Sequence, residues 1–335
     1  MLRRQDVGHR MVVRRIVGVR GGRTLFSDAL GELVELTETH LTLVTRKGKL
    51  RVPLAEVHRA KRVPPTQRPI ARAVAALELA ANEAWPAPVQ DRLGDWLLRA
   101  ADGWTGRGNS ALPVGDPDRP LAAAIDAVRE WYAERGQPAK INVPLPLAAP
   151  INVALDQLDW TASPLVLVQT TPLTALLDAL PARDDLPVVQ LTPTPSAAWL
   201  ALISARKSGA ATDAAPDLPP GAWHLLTAVD QVRFAHLYAD TGTAERKLVG
   251  IARGTVTGAG RWLGLTLVEV VPEARRQGLA RHVIRALARW AAELGATDVF
   301  LQVEERNSGA VALYQRLGFG THHTYLTRTA PAADG

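Results

Sequence analysis

The chain has 335 residues, of which 47% are apolar and 21% charged, so it is long enough for two or three packed domains and too apolar to be disordered. It contains no cysteine, which excludes disulfides, thiolate metal sites and an acyl-cysteine intermediate. No apolar run approaches the roughly 20 residues of a membrane helix, and the first residues lack the apolar core of a signal peptide. We therefore expect a cytoplasmic protein with no membrane partner.

The net charge of +6 is unevenly distributed along the chain. Residues 1–65 contain 14 Lys and Arg but only 6 Asp and Glu. A basic module of this kind attracts nucleic acid or an acidic partner, and a solvated basic surface is the alternative interpretation.

Residues 9–63 read as short alternating strands with turn signals at Gly21-Gly22, Gly31 and Lys47-Gly48. Strands at this spacing predict a small β-barrel over residues 1–65. Pro64, Pro65 and Pro69 then indicate a linker, because successive prolines continue neither a sheet nor a helix.

From about residue 70, helical and strand-like segments alternate, which favours an α+β or α/β layered fold. The chain also resembles itself when it is shifted by 159 positions. The matched pairs are Trp131 and Trp290, Glu134 and Glu293, Gly136 and Gly295, and Pro113 and Pro272. A helix, a strand and a second helix stay in phase in both copies, which predicts a tandem repeat.

The stretch "VVPEARRQGLARHVIRAL", Val270–Leu287, places a basic, glycine-containing loop between an apolar strand and an amphipathic helix. At the start of that helix, near Gly278, unpaired N–H groups and the positive end of the helix dipole favour an anion. Arg275 and Arg276 add cationic donors that suit phosphate oxygens. The loop therefore predicts a pyrophosphate site.

The spacing Arg-x-x-Gly-x-Ala after Val-x-Pro resembles the acetyl-CoA loop of the GNAT acetyltransferase superfamily. The later stretch Val299–Phe319, "VFLQVEERNSGAVALYQRLGF", resembles the second GNAT pattern, in which a Tyr follows an Asn by seven residues and precedes Gly-Phe. The resemblance implies an N-acetyltransferase with acetyl-CoA as cosubstrate and no metal. It also likens residues 1–65 to the SH3-like modules that precede some actinobacterial acetyltransferases.

The resemblance further implies that acetyl-CoA lies where the fourth and fifth strands separate. Val268 and Val270 are the matching backbone positions, and Tyr314 would protonate the leaving thiolate. Asn307 would bond the pantetheine arm or fix its own loop. The loop residues implied to contact the cosubstrate are Arg275, Arg276, Gln277, Gly278, Leu279 and Ala280.

The general base is where this chain departs from its relatives. Ribosomal-protein N-terminal acetylases, which the second copy resembles, have a Glu where this chain has Gln302. Glu304 and Glu269 remain as candidate bases acting through a water. The alternative interpretation is that both are solvated charges at strand ends. His322 and His323 follow on the next strand, where a histidine is more often structural.

The first copy has Asp116, Asp118, Arg119 and Pro120 where the second has its anion loop, so we expect it to be non-catalytic. Its polar stretch Trp104–Ser110 is interpreted as lining an acceptor pocket between the copies or as a turn. Mycothiol synthase resembles this pairing of a degenerate and a working unit, and a group of actinobacterial N-acetylglutamate synthases resembles it more closely.

Together these patterns predict an α+β (α/β layered) fold, with a small SH3-like β-barrel followed by two GNAT-type mixed sheets flanked by helices. The expected domains are a barrel at 1–65, a degenerate GNAT unit at 66–182 and a catalytic GNAT unit at 183–335. The leading function is N-acetylation of a small amino acid or amine, with glutamate first. The alternatives are a peptide N-terminal acetylase and a nucleic-acid-binding regulator that senses acetyl-CoA. The oligomeric state is not predicted.

Overall fold

A computed structural model describes residues 6–8, 10–45, 48–62, 71–208, 218–240 and 246–332. The chain divides into two compact units, Met1–Arg68 and Pro69–Gly335. The predicted proline linker falls outside the described residues.

The first unit is a single antiparallel sheet with the strand order β4-β3-β2-β1-β5. Its strands are β1 Arg10–Arg20, β2 Arg23–Leu36, β3 His40–Thr45, β4 Gly48–Pro53 and β5 Val57–Arg62. Within the described residues of this unit, β4 and β5 are the edges and no pairing joins them. The sheet is therefore open, and the predicted SH3-like barrel is not confirmed.

Gly31 lies inside β2 and does not form the predicted turn. A Cβ atom at this position would approach the carbonyl oxygen of Val44 to 2.5 Å. The missing side chain lets β3 pass close to β2, which is the other common reason for a glycine in a strand. The sequence pattern did not distinguish these two roles.

The second unit contains the remaining elements. Its strands are β6 Val89–Leu93, β7 Trp96–Ala100, β8 Lys140–Leu145, β9 Thr161–Ala162, β10 Val166–Pro172, β11 Gln190–Thr192, β12 Val232–Asp240, β13 Arg246–Thr257, β14 Trp262–Val270, β15 Asp298–Glu304 and β16 Gly320–Thr329. Its helices are α1 Ala71–Glu83, α2 Leu121–Ala133, α3 Ala149–Gln157, α4 Leu173–Ala179, α5 Ala197–Ser208, α6 Pro220–Thr227, α7 Leu279–Glu293 and α8 Ser308–Arg316.

Nine of these strands form one sheet rather than the two sheets that the repeat predicts. The order is β11-β12-β13-β14-β15-β10-β16-β8, and β9 also pairs with β16. Strand β10 lies between β15 and β16, while β16 lies between β10 and β8. Each copy thus gives a strand to the other, which leaves fewer exposed strand edges than two separate sheets would have.

The elements of the two copies correspond closely. The bounds of α3 and α8 differ by 159 positions at both ends. The first residues of α2 and α7, and those of β8 and β15, differ by 158. Helix, strand and helix therefore follow one another in both copies at the predicted offset.

Helices cover both faces of the nine-stranded sheet. Helices α4, α7 and α8 pack on the face that includes Leu301 and Val303, whereas α1 packs on the opposite face against Phe300, Val168 and Tyr325. Alternation along β15 separates these side chains, because successive residues of a strand point to opposite faces. Among the described residues, no helix has the length and apolar character needed to cross a membrane.

Candidate active site

Strands β14 and β15 separate halfway along their length. They pair in parallel from Trp262 and Asp298 as far as Leu265 and Leu301, and β14 then continues beside β13 alone. Leu267 has a φ of 54°, and the register between β13 and β14 shifts at this point, which marks a β-bulge. The bulge bends β14 away from β15 and opens a cleft between the two strands.

The backbone of β14 directs donors into this cleft. The N–H of Val271 bonds to the carbonyl oxygen of Val249 on β13 at 3.0 Å. Because successive N–H groups of a strand alternate in direction, the N–H groups of Val270 and Val268 point away from β13. That direction faces the opening, so both residues lie where the sequence predicts backbone contacts to a bound ligand.

The loop after β14 ends at the N-terminus of α7. Gly278 is the residue before the first turn, with a φ of 85°, and no side chain caps this helix. The first N–H groups of a helix have no partner within the helix, so those of Leu279, Ala280 and Arg281 are available to an anion. Arg276 also has a left-handed φ, of 66°.

The two arginines of the loop differ in their contacts. Arg275 donates from Nε to the carbonyl oxygen of Val270 at 3.0 Å and from Nη2 to Oε1 of Glu269 at 3.0 Å. Arg276 is exposed, as is Gln277. Both arginines are exposed, but Arg275 is engaged in fixing the end of β14, whereas Arg276 has no ion pair among the described residues.

Arg183 is a cation near the loop that the sequence analysis missed. Its Nη1 would lie 3.3 Å from a Cβ atom at Gly278, and its guanidinium pairs with Asp185 at 2.6 and 2.5 Å. This hydrogen-bonded pairing with Arg183 lowers the pKa of the Asp185 carboxyl to about 2. The segment between the two copies thus reaches the start of α7, a contact that sequence spacing does not reveal.

The residues predicted on α8 occupy two different environments. Asn307 is exposed and caps the helix, with its side-chain oxygen accepting from the N–H of Ala310 at 3.2 Å. Tyr314 is buried and packs edge-on against Phe319, with ring centroids 5.7 Å apart. It belongs to the same core cluster as Val270, so the tyrosine and the cleft share one packed region.

Gln302 follows the last residue of β15 that pairs with β14, and it lies on the face covered by α1. Its Oε1 accepts from Nη1 of Arg107 and, at 3.1 Å, from the hydroxyl of Tyr325. Arg107 belongs to the stretch Trp104–Ser110 of the first copy, which forms a short 3-10 turn at Arg107–Asn109. The structure therefore brings this stretch to the second copy, beside the cleft.

The two candidate bases lie on different strands and are both ion-paired. Glu269 on β14 pairs with Arg275, and its side chain is 20% exposed. Glu304 at the end of β15 accepts from Nε of Arg306 at 2.6 Å and is 45% exposed. Glu304 also lines a cavity on the α1 face together with Arg107 and Tyr325.

The partly buried His322 and the buried His323 form a chain with the buried Glu78 of α1. Nε2 of His323 lies 2.9 Å from Oε1 of Glu78, and the two Nδ1 atoms of the histidines lie 2.8 Å apart. Burial is the main cause that lowers the pKa of His322, to about 4. For Glu78, burial acts to raise the carboxyl pKa, but the bond from His323 and the charge of Arg107 lower it overall. His323 therefore has a structural partner 245 positions away.

In the first copy, the loop that corresponds to the anion loop differs in its charge and packing. Pro120 precedes α2, and the N–H of Asp118 bonds to the carboxylate of Asp116 at 2.9 Å. A Cβ atom at Gly94 would lie 2.4 Å from the carbonyl oxygen of Asp116, so the β6–β7 turn packs directly on this loop. Helix α2 also starts without a side-chain cap, but the loop before it carries two carboxylates and packs against the β6–β7 turn, whereas the loop before α7 carries two arginines.

A family model described as "Probable histone acetyltransferase Rv0428c C-terminal" matches residues 72–327. The chain belongs to this family. The probable histone acetyltransferase Rv0428c of Mycobacterium tuberculosis (strain ATCC 25618 / H37Rv) is 28% identical over 314 residues, which cover 90% of this chain and 89% of that protein. The uncharacterized N-acetyltransferase YobR of Bacillus subtilis (strain 168) is 27% identical over 264 residues, covering 75% of this chain and 98% of that protein.

Among solved structures, a GCN5-related N-acetyltransferase from Kribbella flavida has a TM-score of 0.55 and 19% identity, covering 80% of this chain and 98% of that one. This similarity shows the fold. With the family membership, it makes the protein a GNAT-type N-acetyltransferase, and enzymes of this type use acetyl-CoA.

Proposed function

We propose that the protein transfers an acetyl group from acetyl-CoA directly to the amine of a small amino acid or related compound, with glutamate the first candidate. The observation that carries this proposal is the cleft between β14 and β15, which opens beside the uncapped start of α7. One opening thus combines inward-pointing strand N–H groups with an anion-binding helix terminus.

The residues present fit acetyl-CoA. Free N–H groups of the first turn of α7 suit its pyrophosphate, and the exposed guanidinium of Arg276 adds a cation. Backbone groups of Val268 and Val270 suit the pantetheine arm and the thioester carbonyl. Bound acetyl-CoA supplies the activated acetyl group, and the Val270 N–H polarises its carbonyl. Asn307 holds the loop before α8 by its cap.

The reaction also needs two proton transfers, one from the acceptor amine and one to the leaving thiolate, and side chains must carry out both. Tyr314 is assigned to protonate the departing thiolate on the strength of the resemblance to the GNAT pattern, and its burial in the core cluster that also contains Val270 is compatible with this role. Both candidate bases are ion-paired, and Glu304 is favoured over Glu269 as the base, through a water, because Glu304 lines the cavity on the α1 face and is the more exposed of the two. A Glu at position 302 would lie against Arg107, which would lower its pKa and weaken it as a base.

A protein amine is the second candidate acceptor, because the relative from Mycobacterium tuberculosis is named a probable histone acetyltransferase. Against it, the cavity beside the cleft is lined by Arg107 and Lys140. Like charges repel, so these groups disfavour a lysine-rich segment. The regulator hypothesis depends on the basic residues 1–65 and is tested separately below.

The proposal is tested by calorimetric titration with acetyl-CoA, followed by an acceptor screen that detects released CoA thiol. The protein has no cysteine, so it adds no thiol background to this assay. We expect one acetyl-CoA site and turnover with a small amine. Absence of acetyl-CoA binding would refute the proposal.

A further inference from the structure

A polar cavity of about 280 Å³ lies on the α1 face of the sheet and is built by both copies. The first copy contributes Arg107, Lys140 and Ser163, and the second contributes Glu304, Tyr325 and Thr327. Its volume is near the lower end of the range for small-molecule sites. Two of its lining residues, Arg107 and Tyr325, bond to Gln302, which follows the point where β14 and β15 separate, and this links the cavity to the cleft.

Arg107 is the feature of this cavity that calls for a ligand. Nη1 donates to Gln302, but Nε and Nη2 are buried without an acceptor, and so is Nε2 of Gln302. All three are nitrogen donors, and buried donors without acceptors are destabilising. The arrangement therefore suits a ligand that brings acceptor oxygens.

The charge around Arg107 favours an anion. Arg99 is a second buried guanidinium in the same polar cluster, and it bonds to Ser110 and Asn82 rather than to a carboxylate. Glu78 is the buried carboxylate whose pKa responds to both arginines. The buried Arg99 and the partly buried Arg107 thus share one buried carboxylate, and the other carboxylate at the cavity, that of Glu304, is paired with Arg306. The side-chain ammonium of Lys140, which also lines the cavity, has no hydrogen-bond or ion-pair partner among the described residues.

We propose that Arg107, supplied by the first copy, binds a carboxylate of the acceptor in this cavity, so that the preferred acceptors are amines that carry a carboxylate. The proposal rests on the proposed acetyl transfer and names the substrate class of that reaction. A guanidinium offers parallel donors that match the two oxygens of a carboxylate. In this proposal the first copy, which lacks an open anion loop of its own, contributes Arg107 to the acceptor site.

The test compares L-amino acids with the matching L-amino-acid amides and with a lysine-rich peptide, using thiol release by the full-length protein. For glutamate, the panel adds glutamine, isoglutamine and 4-aminobutyrate, which separate the side-chain carboxylate from the α-carboxylate. We expect the acids to exceed their amides in kcat/KM by about 10- to 100-fold, because a charge-assisted bond is lost in the amide.

The decisive variant is Arg107→Gln, with Arg107→Lys as the conservative variant and Arg92→Gln as the matched control on an exposed part of β6. Arg107→Gln should raise KM for acids, bring the acid-to-amide ratio to about one, and leave calorimetric binding of acetyl-CoA intact. Arg107→Lys should restore part of the ratio, and Arg92→Gln should leave it unchanged.

Binding of the same acids to the protein saturated with CoA, measured by calorimetry, gives a readout that needs no turnover. A ratio that persists in Arg107→Gln would show that Arg107 only holds Gln302 and balances the charge of Glu78, and it would overturn the proposal. So would a preferred acceptor that has no carboxylate, or a panel in which no acid binds or reacts. If the unmodified protein does not bind acetyl-CoA, the proposed function is refuted instead.

Discussion

Tyr314→Phe removes one hydroxyl and leaves a buried ring in place. The ring is 8% exposed and packs against Phe319 in the core cluster of the second copy, contacts that phenylalanine retains. Loss of a single buried hydroxyl changes the free energy of unfolding by about 1 kcal/mol. Loss of a transition-state proton donor lowers turnover by about 10²- to 10⁴-fold, equivalent to about 3 to 5 kcal/mol of activation free energy.

The two effects are therefore separable by size. Turnover is measured by CoA thiol release, acetyl-CoA affinity by calorimetry, and stability by thermal unfolding. Tyr132→Phe is the matched control, because Tyr132 is a buried tyrosine of the first copy whose hydroxyl bonds to the carbonyl oxygen of Arg99 at 2.7 Å. We expect it to affect stability alone. Full turnover by Tyr314→Phe, with the true acceptor, would refute the assignment of the acid.

Three further predictions concern the base, the partly buried His322 and the first unit. Glu304→Gln should remove or shift the acidic limb of the pH–rate profile while Glu269→Gln leaves it, and the reverse result would assign the base to Glu269. The pKa of His322 is about 4 in the folded protein and about 6.5 when unfolded, so the unfolded state binds more protons between these values. The thermal stability of the protein should therefore fall as pH decreases from about 6.5 to about 4. In His322→Asn the fall in unfolding temperature over this pH range should be smaller than in the unmodified protein. An equal fall in both proteins would contradict the prediction. If residues 1–65 bind nucleic acid, the logarithm of affinity should fall linearly with the logarithm of salt concentration, and a gel shift with no binding at low salt would eliminate the regulator hypothesis.

The local parts of the site could be predicted from the sequence because short-range patterns define them. The strand before the loop, the glycine before α7 and the tyrosine on α8 all follow from residues within one strand, loop and helix, whereas the bulge in that strand was not predicted. The open sheet of the first unit was not predicted, because alternation specifies strands but not whether the two edges meet.

Long-range pairings could not be predicted. Strands β10 and β16 each pair with strands of the other copy. The sequence predicts short apolar strands but not the sheet edge with which each one pairs, and both copies have similar edges. The contact of Arg107 with Gln302 joins residues 195 positions apart, and no periodicity encodes it. For the same reason, Arg183 gave no signal as a neighbour of Gly278.

The central claim is that one of the two copies binds acetyl-CoA, and paired substitutions at matching positions test it most directly. Gly278→Asp adds a side chain and a negative charge where the pyrophosphate should lie, whereas Arg119→Asp changes an exposed residue at the matching position of the first copy. Circular dichroism and thermal unfolding first establish that both variants fold. Calorimetric titration with acetyl-CoA should then show one site in the unmodified protein, no binding to Gly278→Asp and unchanged binding to Arg119→Asp. Comparable loss of binding in both variants, or full binding by Gly278→Asp, would contradict the account.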